Sequence, residues 1–329
     1  MHAVFADPKT DFVFKRIFGA EGREALLIAL LNHLLELEGD QRILEIEHLR
    51  GDQHVDVPEL KLSIVDVKCT DASGRRFVVE MQVLKVEGFE KRVVYNASKA
   101  YVMQLRNTEE YPTLCDVVGV TICNFHLWPE QDGDGGFKVP MLSRWRMQEQ
   151  HSGEKGLPQV QYVFLELPKY AAGDTPVTLI DRWAYFFREA KNLQVVPPAL
   201  AETPFRDALE IARRATFSVD EWELYDRAKM AEQDARGALS VARREGQIEG
   251  RIEGRIEGRL EGRLEGRAEG RAEGAIAGKR SVLLLLLGQA GIAVSEEERA
   301  RIEACADEAT LDRWVGNVLG AATAKDVLS

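Results

Sequence analysis

Cysteine is scarce in this 329-residue sequence, and long apolar runs are absent. The four cysteines, Cys69, Cys115, Cys123 and Cys305, include no pair at CxxC spacing, and the N-terminus has no basic-then-apolar signal pattern. We therefore expect a reducing, cytoplasmic compartment. The longest apolar run, from Val282 to Leu287, has six residues, whereas a membrane-spanning helix needs about 20. No membrane segment is expected.

A net positive charge is also lacking, since the formal charge is −11. This total argues against nucleic-acid binding, which draws most of its energy from neutralising phosphates. The distribution of charge points the other way. Residues 61–106 contain nine basic and five acidic side chains, a local excess of +4. That excess is compatible either with a surface that binds a phosphate backbone or with an ordinary mixed surface.

Two apolar segments, KLSIVDVKC and RRFVVEMQVLK, flank the polar turn DASG and predict a β-hairpin. If Gly74 adopts the left-handed conformation in a three-residue loop, Asp71 pairs with Arg75. The same register then places Asp66 directly opposite Glu80, with about 4.5–5.5 Å between their Cβ atoms. Two carboxylates at that separation can share one divalent cation. A slip of one residue would put them on opposite faces of the sheet.

These carboxylates interrupt strands that are apolar on both faces. Burying Asp66 and Glu80 is costly unless a metal or a partner compensates, so we favour a metal site over a solvated strand face. A carboxylate pair, a backbone carbonyl and a phosphate oxygen form a suitable shell for Mg²⁺. Such an ion activates water and stabilises the charge that develops at phosphorus.

The surrounding pattern predicts an α/β domain. Apolar residues recur at helical spacing between Glu21 and Gly39, and again, with a basic opposite face, between Glu90 and Arg106. A nearly continuous β-branched run from Cys115 to Phe125 predicts a strand buried on both faces. Residues 159–170 predict a further strand, and VVPPAL near residue 195 breaks the chain.

Three motifs in this order, DPKTDFVFKRIFG, IVDVKCTDASGRRFVVEMQ and YNASKAYVMQL, resemble the PD-(D/E)XK nuclease family transposases, also called recombination-promoting nucleases. The resemblance covers about residues 5–200 and implies a restriction-endonuclease-like mixed sheet flanked by helices. It implies that Asp66 and Glu80 bind metal and that Gln82 stands where many such nucleases have lysine. Glu24 matches an upstream helix glutamate that many of them use as an additional ligand.

A neutral glutamine can orient a water molecule but cannot supply the charge of an ammonium group. Gln82 has a structural alternative, as an amide that bonds a neighbouring strand. If Gln82 is catalytic, Lys68 or Lys61 is expected to support it. The resemblance implies Mg²⁺ as the cofactor, with Mn²⁺ as a substitute, and DNA as the substrate. We expect the basic residues near the motif to contact DNA: Arg75, Arg76, Lys91, Arg92 and Lys99.

Eight four-residue units, beginning EGQI and EGRI, occupy residues 245–276. In a helix, a period of four places glutamates, glycines, arginines and aliphatic residues in separate stripes. Like charges then lie at i and i+4, and the glycines weaken the helix. The segment is therefore either a helix stabilised by a partner, which predicts a homo-oligomer, or a fraying linker. An arginine arm for nucleic acid is a third possibility.

The sequence after the repeat predicts three or four short helices, with a capping box at Ser295 and Glu298. Trp314 lies at helical spacing with Leu311, Val315 and Leu319, which predicts a small core.

We therefore predict four parts: a nuclease-like domain at 1–195, a helical extension at 196–244, the repeat as helix or linker at 245–278, and a small all-α domain at 279–329. The predicted function is a Mg²⁺-dependent DNA endonuclease linked to recombination or mobile elements. The alternatives are a catalytically degenerate member that binds DNA or protein, and a structural oligomerising protein.

Overall fold

The computed structural model describes residues 3–49, 52–53, 63–105 and 110–329. The chain divides into two compact units, Met1–Ala238 and Leu239–Ser329. The strands are β1 (Ile46–Leu49), β2 (Asp52–Gln53), β3 (Ser63–Ile64), β4 (Val67–Asp71), β5 (Arg76–Gln82), β6 (Val117–Cys123), β7 (Leu142–Trp145) and β8 (Val160–Glu166). The helices are α1 (Asp11–Phe18), α2 (Glu24–Leu35), α3 (Phe89–Val102), α4 (Leu179–Glu189), α5 (Phe205–Ile211), α6 (Val219–Gln289), α7 (Glu296–Ala304), α8 (Glu308–Asn317) and α9 (Ala324–Val327).

A six-stranded mixed sheet forms the centre of the first unit, in the order β1-β4-β5-β6-β8-β7. The strands β5, β6 and β8 are parallel, and the other neighbours are antiparallel. All seven residues of β6 are buried, as the β-branched run predicts for a central strand. This architecture is the expected restriction-endonuclease-like α/β fold. The strands β2 and β3 form a separate antiparallel pair.

Helices cover both faces of the sheet. The main core joins one face, including Val79 and Val120, to the apolar sides of α1, α2, α4 and α5. Helix α3 covers the opposite face through Ala97 and Ala100. Gly119 on β6 lies beneath this helix, where a Cβ would be in ordinary van der Waals contact with the Ala97 Cβ at 3.6 Å and more tightly placed against the Tyr162 ring at 3.3 Å. We refer below to the α1 face and the α3 face.

The β4-β5 hairpin has the register that the turn predicts. Gly74 has a φ of 85°, and the Asp71 N–H donates to the Arg75 carbonyl at 3.0 Å. Val67 lies opposite Val79, and the pairs continue in step toward the turn. The predicted hairpin register is therefore confirmed.

The helical segments differ from the prediction at their ends. Helix α2 begins three residues after Glu21, because Gly22 adopts a φ of 80°. It ends before Glu36, which takes the left-handed conformation with a φ of 51°. Helix α1, which the periodicity did not predict, precedes it. Helix α3 ends at Val102, before the expected Arg106, which lies outside the described residues.

The core of the first unit extends well beyond residue 195. Phe205 on α5 and Tyr225 on α6 are buried in the main core. The N-terminal segment pairs with this region, since Phe5 bridges to Arg213 and the Ala6 N–H donates to the Ala212 carbonyl at 2.8 Å. Residues 196–238 thus complete the core of the first unit.

In the second unit the repeat is helical, as part of α6, and its side chains are exposed. The helices after it enclose a separate core around Leu287, Leu311 and Trp314. The predicted capping box is confirmed by the Ser295 side chain, which accepts from the Glu298 N–H. Leu319, expected in this core, is instead 95% exposed because α8 ends at Asn317.

No helix in the part of the chain that the structure describes is long and apolar enough to cross a membrane.

Candidate active site

Asp66 lies at a bend just before β4. Val65 packs with Val78 on the α3 face, whereas Val67 belongs to the core on the α1 face. Residues two apart in a regular strand share a face, so the chain departs from strand geometry between them. The carboxylate of Asp66 consequently reaches α1, and its Oδ2 accepts a hydrogen bond from the Met81 N–H at 2.7 Å.

The carboxyl group of Asp66 lies near that of Asp11, the first residue of α1. Lys15 supplies the compensating charge, with its Nζ 2.6 Å from Asp11 and 3.9 Å from Asp66. Burial, and to a smaller extent the charge of Asp11, raises the pKa of Asp66 to about 7, against the opposing effects of the Met81 N–H and Lys15.

Glu80 lies on β5 and contacts α3. It is 7% exposed, and its Oε1 accepts a hydrogen bond from the Asn96 Nδ2 at 2.5 Å. Burial raises the pKa of Glu80, while the Asn96 amide and the positive charge of Arg92 oppose that rise. The two carboxylates are thus anchored at neighbouring positions of β5, but they do not project from one regular strand face as the register alone predicts. The bend at Asp66 accounts for the difference.

Gln82, two residues after Glu80, has both ends of its amide engaged. Its Oε1 accepts from Arg92 at 2.5 Å, and its Nε2 donates to the Leu84 carbonyl at 2.8 Å. The Arg92 guanidinium also lies 3.9 Å from Glu80. A positive charge therefore lies between Glu80 and Gln82, supplied by α3 rather than by β5.

The expected supporting residues differ in their positions. Lys68 is buried on β4, opposite Val78 on the α3 face. Lys61 lies outside the described residues. Glu24, at the start of α2, accepts a hydrogen bond from the Gly22 N–H at 2.8 Å, and such backbone bonds lower its pKa.

The helix carboxylate that lies near Asp66 is Asp11, which our sequence reasoning missed. Its signal was present in DPKTDFVFK, where an acidic residue at the start of a helix is followed four residues later by Lys15. Because helix α1 had not been predicted, the position of Asp11 relative to Asp66 could not be derived from the sequence.

The donor atoms at this site are hard oxygens, as Mg²⁺ requires. The carboxyl groups of Asp66 and Asp11 lie near each other, with Lys15 close to both. A divalent ion fits between two such acids, because its charge compensates for both. In the described ranges of the chain, no three acidic, histidine or cysteine side chains converge as a metal cluster. Glu80 would have to turn from Asn96 toward Asp66 to join such a centre.

The basic residues expected to contact DNA do not form one surface. Arg75 and Arg76 lie at the turn end of β5, about 20 Å along the strand from Gln82. Arg75 is engaged by Asp71, with 2.7 Å from its Nε to the carboxylate. Lys91 and Arg92 are exposed at the start of α3 beside the motif. Lys99 is only 5% exposed, with its Nζ 5.7 Å from the Tyr95 ring centroid.

One family model matches the chain, that of the PD-(D/E)XK nuclease family transposases, over residues 8–242. The match covers more than two thirds of the chain and ends close to the boundary of the first unit. No curated protein and no solved structure gave a significant match.

Proposed function

Because the chain belongs to the PD-(D/E)XK nuclease family transposases, we propose that it is a metal-dependent DNA endonuclease acting through Asp66, Glu80 and Gln82. The observation that carries this proposal is the largely buried carboxyl group of Asp66, which lies near the exposed carboxylate of Asp11 and accepts a hydrogen bond from the Met81 backbone, one residue from Glu80. A largely buried carboxylate is costly unless something compensates for its charge, and a divalent cation does so.

Asp66 and Glu80 would hold Mg²⁺ or Mn²⁺, with Asp11 as a further oxygen ligand in the place first expected for Glu24. The ion supplies Lewis-acid stabilisation and an activated water. The Met81 N–H fixes the orientation of Asp66, and Asn96 holds Glu80. Lys15, whose Nζ lies 3.9 Å from Asp66, lowers the cost of ionising that carboxyl group.

Arg92 supplies the positive charge that Gln82 lacks. Its guanidinium contacts the Gln82 Oε1 and lies near Glu80, so Gln82 orients Arg92 while Arg92 faces the scissile phosphate. An arginine fork binds phosphate oxygens in pairs. Arg92→Lys should therefore retain part of the activity, and Arg92→Gln should reduce kcat by about 100-fold, the effect of losing one charge-stabilising donor.

Lys91 and Arg92 form the DNA contacts nearest the site, and Lys68 acts from within the α3 face. Arg75 and Arg76 would contact a more distant part of a bound duplex. In this arrangement Lys91→Gln weakens DNA binding at low salt. It also makes the slope of log K against log salt shallower, by the amount expected for the loss of about one phosphate contact. Because Lys99 is buried, we assign it a role in packing rather than in DNA binding.

Nicking of supercoiled plasmid tests the nuclease proposal. Wild type should nick with Mg²⁺ or Mn²⁺ and not with EDTA, while Asp66→Asn and Glu80→Gln should be inactive. Glu45→Gln, an exposed residue of the same unit, is the matched control and should nick at the wild-type rate. Equal nicking by all four proteins would identify a contaminating nuclease and sink the proposal.

A catalytically degenerate member that binds DNA without cutting is favoured by one observation: Asp66 and Glu80 contact different helices. That candidate predicts no nicking with any metal, together with plasmid binding in a gel-shift assay. Binding unaffected by Mg²⁺ or by Asp66→Asn would support it against the enzyme.

We also propose that the repeat at 245–278 forms a homo-oligomer. Its aliphatic residues are about half exposed, and no ion pair in the described ranges involves a repeat residue. In sedimentation experiments the full wild-type chain should be an oligomer. The double variant Ile252→Gln/Ile256→Gln should be a monomer. A monomeric wild type at high concentration would remove this proposal. The exposed aliphatic residues are Ile248, Ile252, Ile256, Leu260 and Leu264.

A further inference from the structure

A cleft of about 370 Å³ lies in the first unit, away from the hairpin. The N-terminal segment, the turn after α4 and the first turns of α6 form its walls, and Phe5 and Tyr225 are among the residues that line it. Both rings are almost fully buried, so the cleft has a rigid base. We call it the N-terminal cleft.

Basic side chains outnumber acidic ones in this cleft. The four cations that line it are Lys191, Arg214, Lys229 and Arg236, and the two carboxylates are Asp7 and Glu232, which leaves a charge of +2. Lys191 pairs with Asp7 at 3.1 Å, and Arg236 pairs with Glu232 at 2.6 Å. Within the described part of the chain, Arg214 and Lys229 have no carboxylate partner.

Arg214 is positioned as a donor in the cleft. Its guanidinium lies 4.6 Å from the Trp222 ring centroid, and its Nη1 donates to the Ala3 carbonyl at 3.2 Å. Its Nε is buried and makes no hydrogen bond to any described residue. Leaving a charged donor unsatisfied is costly. Lys229 lies over an aromatic ring, with its Nζ 5.6 Å from the Tyr225 centroid.

We propose that the N-terminal cleft binds a small phosphate monoester. At neutral pH a phosphate monoester carries close to two negative charges and three acceptor oxygens, which match the surplus of +2 and the two donors of Arg214 and Lys229. The cleft volume of about 370 Å³ suits a small molecule.

Calorimetric titration of the full chain in EDTA tests this site separately from the nuclease centre. The probes are glycerol 3-phosphate, dAMP, succinate and glycerol. Both phosphate monoesters should bind, dAMP more tightly only if the base also contacts the cleft, and succinate and glycerol should not. Lys229→Gln should weaken binding about tenfold, because the variant loses one charge-assisted hydrogen bond to the phosphate.

Arg227→Gln is the matched control, because Arg227 is exposed on the same helix, pairs with Glu223 and does not line the cleft. It should bind both phosphates like wild type. The proposal is overturned if wild type binds neither phosphate, if succinate binds equally well, or if Lys229→Gln and Arg227→Gln weaken binding equally. Binding of a 5′-phosphorylated oligonucleotide without either small phosphate would also overturn it.

Discussion

Asp66 opposes the stability of the fold that holds it. Its carboxyl group is mostly buried and lies near the carboxylate of Asp11, so the folded protein bears the cost of ionising it. Asp66→Asn should therefore stabilise the metal-free protein at pH 8 by about 2–4 kcal/mol, since each pKa unit corresponds to about 1.4 kcal/mol. Urea unfolding in EDTA measures this. A less stable variant would show that the carboxylate is compensated in the folded state.

The pH dependence of wild type follows from the same group. Burial raises the pKa of Asp66 to about 7, so between about pH 4 and pH 7 the folded state holds a proton that the unfolded state releases. Stability must fall as pH rises through that window. Metal affinity should rise over the same range, because the metal displaces the proton. Thermal unfolding from pH 5 to 8, with EDTA or with Mn²⁺, should show opposite trends, and Asp66→Asn should flatten both.

At this scale the sequence predicted Asp66, Glu80 and Gln82 as neighbours but not their contacts. The register is a local property of the Gly74 turn, so pairing could be derived from spacing. The bend at Asp66 and the approach of Asp11 depend on how α1 packs against the sheet, which no local pattern encodes. Arg92 was expected to contact DNA. Its contact with Gln82 required the position of α3 over the sheet.

Among the elements, the β4-β5 hairpin depends most on one residue. Gly74 has a φ of 85°, and a Cβ there would lie 2.6 Å from the Cys115 Sγ. Gly74→Ala should lower the free energy of unfolding by about 2–4 kcal/mol through strain and overlap together. Gly22→Ala is the matched control, because Gly22 also has a positive φ, 80°, but a Cβ there would meet no neighbouring atom. This variant therefore measures the backbone strain without the overlap. If denaturant titrations show the same loss of unfolding free energy for Gly74→Ala and Gly22→Ala, the Cys115 side chain moves aside without cost.

The repeat has a geometry that limits how two copies can meet. Each four-residue unit advances 400°, so the aliphatic stripe turns by about 40° per unit around the helix. Two straight helices can therefore share only two or three units before the stripes diverge. A long left-handed coiled coil, whose hydrophobic period is 3.5 residues, is excluded.

The repeat glycines separate intrinsic helicity from association. A Cβ at Gly254, Gly258 or Gly262 would meet no neighbouring atom. Replacing all three by alanine should raise helicity and the unfolding temperature of the second unit, with about 1 kcal/mol gained at each position. Circular dichroism measures the gain, and sedimentation of the same variant reports association. A helix gain with loss of the oligomer would show that the glycines allow close approach of two chains.

For the first unit as a whole, the structure extends the folded core past the break at VVPPAL. Residues 1–238 should unfold cooperatively on their own, whereas residues 1–195 should not, because Phe205, Leu209 and Tyr225 would be missing from the main core. Far-ultraviolet circular dichroism during heating checks both fragments. If the shorter fragment unfolds cooperatively, the first domain ends near residue 195, as the sequence predicts. Sequence periodicity could not place this limit, since amphipathic helices after residue 195 do not show which core they join.

The pairing of Phe5 with Arg213 has a consequence for how the protein is made. During synthesis, Phe5 can reach its partner only after more than 200 further residues have been added, and Arg16 likewise awaits its ion pair with Glu221. At about 5–20 residues per second, this wait lasts some ten seconds or more. Helix α1, which carries Asp11, is held in its final place only at the end of that interval. A nascent chain therefore completes the candidate site last, when the whole first unit has left the ribosome.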